Sequence, residues 1–145
     1  MVITADAIDP VACYAQLQDH SCGACVTFEG WVRNHQDGRE VRSLEYEVYH
    51  PLAVSEGERV IAEARARHPV THALCVHREG HLELGDLAVW VGVSSPHRDE
   101  SFLAARMVID QIKVRLPIWK KEHYLDGDSG WVNCERCANH GHAHS

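Results

Sequence analysis

Ala24-Cys25-Val26-Thr27-Phe28-Glu29-Gly30-Trp31-Val32-Arg33-Asn34-His35-Gln36-Asp37-Gly38, followed shortly by Ser43-Leu44-Glu45-Tyr46-Glu47-Val48, is the stretch that decides the fold class. Over residues 24–32 the side chains alternate, with Ala24, Val26, Phe28 and Val32 on one side and Thr27, Glu29 and Trp31 on the other. That period of two marks a half-buried strand ending at Arg33. Asn34, His35, Asp37 and Gly38 supply a turn, and Leu44, Tyr46 and Val48 then alternate against Ser43, Glu45 and Glu47. The expectation is strand, turn, strand.

Working outward, the period changes. On the N-terminal side a helix is expected over 10–19. On the C-terminal side Pro51 opens a helix over 51–67, with Ala53, Gly57, Val60 and Ala64 inward and Glu63 and Arg67 outward, and His68-Pro69 stops it. Strands are expected over 73–78 and 87–94. Ser95 and Pro96 suit the cap and first turn of a further helix reaching Arg115, with Asp99 and Glu100 complementing its positive end. Phe102, Ala105, Ile109 and Ile112 form its expected core stripe. Pro117 ends it, and 118–124 is expected to run extended. The chain therefore reads as α+β, a single domain with a mixed or antiparallel sheet and packed helices.

The 145 residues suffice for one core without disulfides or a structural metal. No repeat or linker divides them. With 21 acidic against 14 basic residues the net charge is −7, which excludes a general affinity for nucleic acid or anionic membranes, so an anionic ligand must meet a local basic cluster. No apolar run suits a membrane span and the N-terminus lacks a signal-peptide pattern, so a cytoplasmic location is expected. The six cysteines then read as free thiols.

Two clusters could carry chemistry. Ser95-Pro96-His97-Arg98 sets an imidazole and a guanidinium at a helix start, where unpaired backbone N–H groups favour a phosphate or carboxylate. A solvated surface cap is the competing reading. Lys113, Arg115, Lys120 and Lys121 form the densest basic cluster, beside the apolar Pro117-Ile118-Trp119. A lysine there could act as acid, base or nucleophile. An ordinary cationic helix end, partly neutralised by Glu122, is the alternative. Arg33 closes a strand, a common place for ligand contacts.

Read together and in order, Val26-Thr27-Phe28-Glu29-Gly30, Val32-Arg33-Asn34-His35, Leu44-Glu45-Tyr46-Glu47, His77-Arg78 with Gly80, Ser95-Pro96-His97-Arg98 and Pro117-Ile118-Trp119-Lys120-Lys121-Glu122 resemble the large-subunit family of molybdopterin synthase. The resemblance covers about residues 23–132, which sets off 133–145 as a separate Cys/His-rich tail.

This resemblance implies an α/β-hammerhead-like fold and a sulfurtransferase that converts cyclic pyranopterin monophosphate to the molybdopterin dithiolene. It implies sulfur delivery as a thiocarboxylate on the C-terminal Gly-Gly of a small subunit, a large-subunit homodimer within a heterotetramer, and neither cofactor nor metal. Carried over by position, Lys113 and Lys120 are catalytic, while Trp31, Val32, Arg33, His97, Arg98, Lys113, Lys120, Lys121 and Glu122 bind substrate. Helix geometry adds a constraint if His97 and Lys113 serve one pocket. Sixteen positions separate His97 from Lys113 on one helix, or about 24 Å at 1.5 Å each. A single small ligand cannot readily touch both, so a shared pocket would need a second chain.

Cys22-Gly23-Ala24-Cys25 has redox spacing but leads into a strand, without the helix N-terminus that stabilises a thiolate. Cys25 is expected on that strand, with Cys13 and Cys75 as small core fillers. Cys134-x-x-Cys137 followed by His140, His142 and His144 has ligand types suited to zinc or nickel, and Cys22 with Cys25 could complete a four-thiolate site. A disordered polar tail is the other reading. The rival function is a non-enzymatic metal-binding or scaffold protein on the same fold, which loss of Lys113, Lys120 or Arg33 would have favoured. A CoA- or nucleotide-binding enzyme lacks its Gly-rich loop.

Overall fold

The structure, a computed structural model, describes residues 1–128 and 130–133. Its elements in chain order are β1 (Val2–Thr4), α1 (Pro10–Ala15), β2 (Ala24–Trp31), β3 (His35–Gln36), β4 (Arg39–Val48), α2 (His50–Arg67), β5 (His72–Arg78), β6 (Gly80–Glu83), β7 (Leu87–Ser95), α3 (Arg98–Arg115), β8 (Ile118–Tyr124), β9 (Gly127–Asp128) and β10 (Val132–Asn133). Helices and strands share one α+β unit, as expected. Among the described residues no helix is long and apolar enough to cross a membrane.

The strands form two sheets. The first has the order β1-β5-β7-β2, with β1 parallel to β5 and the other pairs antiparallel. In the second, β4 lies between β8 and β6, β3 folds onto the start of β4, and β9 and β10 pair with β8. The expected strand-turn-strand unit is real in sequence, but its two strands do not pair with each other. β2 joins β7 and β4 joins β8. Between them, Asp37 at φ 51° and Gly38 at φ 78° close the small β3–β4 hairpin. Two consecutive left-handed residues are what the tightest hairpin turn demands, and Gly adopts that conformation without steric cost.

α2 and α3 cover one face of the first sheet. Ala53, Val60, Ile61 and Ala64 of α2 meet Val108, Ile109 and Ile112 of α3 over Cys75, Val89 and Val91, and Val48 and Ile118 extend this core into the second sheet. On the opposite face α1 and the turn after it place Cys13 and Leu17 against Val76 and Trp90. Cys13 and Cys75 are thus core fillers, and burial pushes the Cys75 thiol up to about 12.

Three sequence expectations need correction. α1 stops at Ala15 rather than Asp19. α3 begins at Arg98, because Ser95 remains in β7 and its hydroxyl reaches the His97 carbonyl and the Ser101 hydroxyl, each at 2.5 Å, leaving His97 at the cap position without a side-chain cap bond. Phe102 is 59% exposed and not part of the core stripe. The buried face of α3 runs through Ser101, Ala104, Ala105, Val108, Ile109 and Ile112, a spacing of three and four that leaves position 102 beside the face.

Candidate active site

The second sheet and the last turn of α3 enclose a cavity of about 310 Å³ lined by Trp31, Val32, Arg33, His35, Gln36, Val41, Leu44, Tyr46, Lys113, Lys120 and Glu122. Three separate stretches build it: the end of β2 with the turn after it, the inner face of β4, and the α3–β8 junction. Because α3 ends at Arg115 and β8 begins at Ile118, Pro117 reverses the chain and brings Lys120 back beside Lys113.

Alternation along β8 sorts its charges. Lys120, Glu122 and Tyr124 share one face. Lys120 Nζ lies 2.9 Å from Glu122 Oε1, and the Tyr124 hydroxyl donates to Glu122 Oε2. The Glu122 carboxylate is 6% exposed, so it sits in low dielectric where its two partners matter most. Burial and the adjacent carboxylate push the Tyr124 phenol up to about 12, which keeps it a donor. Arg39 stacks over the Tyr124 ring at 3.6 Å and pairs with Asp126 at 2.7 Å, closing that end of the network.

His77 lies beneath the pocket and is 6% exposed. Its Nδ1 is 2.8 Å from the Arg78 carbonyl, so Nδ1 carries the proton and donates. Its ring meets Tyr46 edge to face at 4.9 Å. Burial above all, and then the nearby Lys113 charge, push the imidazole down to about 4, so it is neutral at physiological pH. Arg33 at the rim donates to Gln36 Oε1 at 2.6 Å, and Trp31 is 68% exposed beside it.

The basic cluster of the sequence therefore separates. Lys113 and Lys120 enter the cavity. Arg115 turns away to pair with Glu56 at 2.6 Å and with Glu63, fastening α3 to α2. Lys121 lies on the other face of β8, its ammonium 5.8 Å from the centre of the Trp131 ring. Of the nine expected substrate-binding residues, Trp31, Val32, Arg33, Lys113, Lys120 and Glu122 converge, and Lys121 does not. His97 and Arg98 line a different groove of about 450 Å³ with Gly23, Ala24, Pro96 and Asp99. The two anion-ready regions share no lining residue within one chain, in keeping with the helix-length argument.

Tyr46, Tyr124 and His77 are not among the site residues expected from sequence, although Tyr46 and His77 stand in the motifs that carry the resemblance. The alternation of 118–124 carries the signal for Tyr124, since it places that residue two positions beyond Glu122 on the same face. Cys22 and Cys25 line a wider groove beside Tyr14, Asp19 and His20. Burial, and then Cys22, push the Cys25 thiol up, the opposite of an activated thiolate. Cys134, Cys137, His140, His142 and His144 lie outside the described residues.

The family model described as MoaE protein matches residues 3–115. The chain belongs to the MoaE family. It is 41% identical over 129 residues to the molybdopterin synthase catalytic subunit of Nostoc sp., covering 88% of this chain and 78% of that one. A solved molybdopterin synthase structure from Staphylococcus aureus superposes with a TM-score of 0.85 at 36% identity, covering 90% and 95% of the two chains. A Helicobacter pylori complex of subunits 1 and 2 of molybdopterin-converting factor shares the fold, with a TM-score of 0.70 at 21% identity and 88% and 86% coverage. As a MoaE protein, the chain has its role in molybdenum cofactor biosynthesis.

Proposed function

We propose that this chain is the catalytic subunit of a molybdopterin synthase, moving sulfur from the C-terminal thiocarboxylate of a small subunit onto cyclic pyranopterin monophosphate. The observation that carries this reading is the convergence of Lys113 and Lys120, from α3 and β8, on one cavity with Arg33 at its rim and Glu122 as a built-in counter-charge. Two cations at one cavity, Lys120 held by Glu122 and Lys113 exposed at the end of α3, suit an anionic sulfur donor and the charge that develops on its carbonyl oxygen. In this mechanism the Lys113 ammonium holds the thiocarboxylate oxygen while the C–S bond breaks, and then the carboxylate formed when water adds to the acyl carbon in place of the transferred sulfur. Lys120, oriented by Glu122, moves protons at the pterin.

His97 and Arg98 hold the substrate phosphate, and they do so across a two-fold axis, from the neighbouring copy. Support for that dimer comes from the separate groove they line and from Phe102 and Leu103, 59% and 53% exposed about one turn further along α3. A small-subunit partner agrees with the two-subunit Helicobacter pylori complex.

The test is reconstitution of the purified chain with thiocarboxylated small subunit and cyclic pyranopterin monophosphate, following dithiolene formation. Product is expected with wild type and not with Lys113→Ala. Absence of product with a competent partner, or full product from Lys113→Ala, contradicts the proposal.

A further inference from the structure

The opposite face of the second sheet carries a cluster that the sulfur-transfer chemistry does not use. Glu45 on β4, His81 on β6 and His123 on β8 each present a ligand atom, and these atoms lie within 4.8 Å of one another. The sheet register explains the meeting. Glu45 is directly opposite His81, and His123 is opposite Ser43, two residues from Glu45 on the same strand. Three adjacent strands thus aim two imidazoles and one carboxylate at a common point.

His123 Nε2 is already 2.9 Å from Glu45 Oε1, and His81 Nε2 is 2.9 Å from Glu83 Oε1, which brings a second carboxylate to the edge of the group. The His123 side chain is 12% exposed and His81 49%, so one ligand is held firmly and another is free to adjust. The two imidazole rings stand 5.9 Å apart, centre to centre.

We propose that Glu45, His81 and His123 form a binding site for one divalent transition-metal ion of the zinc class, with Glu83 or water in the remaining position. Nitrogen and carboxylate bonds to such an ion run about 2.0–2.2 Å, so tetrahedral neighbours lie about 3.4 Å apart. One pair is already closer than this, and the widest separation needs to close by at most about 1.4 Å. Rotation of the exposed His81 side chain supplies that movement. The ion replaces the hydrogen bond between His123 Nε2 and Glu45 Oε1. Lys121, opposite Glu45 on β8, is a cation that opposes binding on this face, but its ammonium is drawn toward Trp131. Bound metal would tie β4, β6 and β8 together directly behind Lys120 and Glu122.

The Cys/His-rich tail offers competing ligands, so the test uses the full-length chain with Cys134→Ser, Cys137→Ser, His140→Ala, His142→Ala and His144→Ala. Zinc is titrated against a chromophoric chelator, and cobalt(II) is used as the spectroscopic probe. The expected result is one tight equivalent that survives the tail substitutions and shows no thiolate-to-cobalt charge-transfer band. Its affinity falls at least tenfold in His81→Ala and again in His123→Ala. His81 is exposed, so its removal does not endanger folding. Loss of all tight binding with the tail substitutions, a thiolate band, or unchanged affinity in His81→Ala would each overturn the proposal.

Discussion

The lysine cavity and the His97–Arg98 groove are both built to meet anions, yet they differ in everything that surrounds the charges. Around Lys113 and Lys120 the protein supplies a counter-charge, a phenol that holds it, and a neutral buried imidazole beneath. Around His97 and Arg98 there is a groove at the start of α3, whose cap position makes no side-chain bond. In the proposed function the first region does the chemistry and the second the docking. Preorganised charge stabilises a transition state because nothing has to reorient as charge develops, whereas a solvated cationic pair contributes mainly binding. Under the proposed function the difference makes them two unequal halves of one site, with the docking half completed by a second copy.

The largest effect is expected at the chemical half. Lys113→Ala or Lys120→Ala should reduce dithiolene formation by about 10²–10⁴-fold with the fold intact, read from single-turnover assays beside thermal unfolding. His97→Ala should instead raise KM more than it lowers kcat, and the reverse pattern would erase the contrast.

The burial of His77 next to Tyr46 has its own signature. Its folded-state value of about 4 lies below the ordinary 6.5, so the unfolded chain takes up a proton that the folded chain refuses. Stability from this group is therefore complete above about pH 6.5 and is lost as pH falls toward 4, by up to about 3 kcal/mol. Urea midpoints across that range should decline for wild type and decline less steeply for His77→Asn. Equal slopes would mean that His77 is not the buried sensor described here.

Glu122→Gln keeps the shape and removes the counter-charge, and should lower turnover about ten- to a hundredfold by loosening Lys120. Tyr124→Phe removes one buried bond to Glu122 and should cost about 1 kcal/mol in stability with a correspondingly milder loss of rate. Lys121→Ala, on the far face of β8, should change turnover less than about twofold. A large loss there would move Lys121 back into the site.

Much of this was legible in the sequence, for reasons that also explain what was not. Pro51, His68-Pro69 and Pro117 mark helix boundaries that hold to within a residue, because a proline acts locally on the backbone. The strand over 118–124 is found at the expected positions for the same reason. Partnering is not local. Nothing in the alternation of 24–32 and 43–48 says that these neighbours enter different sheets, and the four-residue β6 is too short to show a period. At the site, family resemblance brought Lys113 and Lys120 forward, but separating them from Arg115 and Lys121 required the helix direction and the strand face. His77 stood in plain sight beside Arg78. Its burial, which gives it meaning, depends on Tyr46 from another strand.

The central claim is that the two halves complete each other across a dimer, and hybrid complementation tests it most directly. His97→Ala and Lys113→Ala chains are mixed, allowed to exchange subunits, and assayed with thiocarboxylated partner at a pterin concentration well below the raised KM of His97→Ala, where each alone has little activity. Random pairing makes half the dimers hybrid with one intact site each, so recovery of roughly a quarter of wild-type activity is predicted. No recovery, with exchange verified, would place the whole site within a single chain and contradict the account.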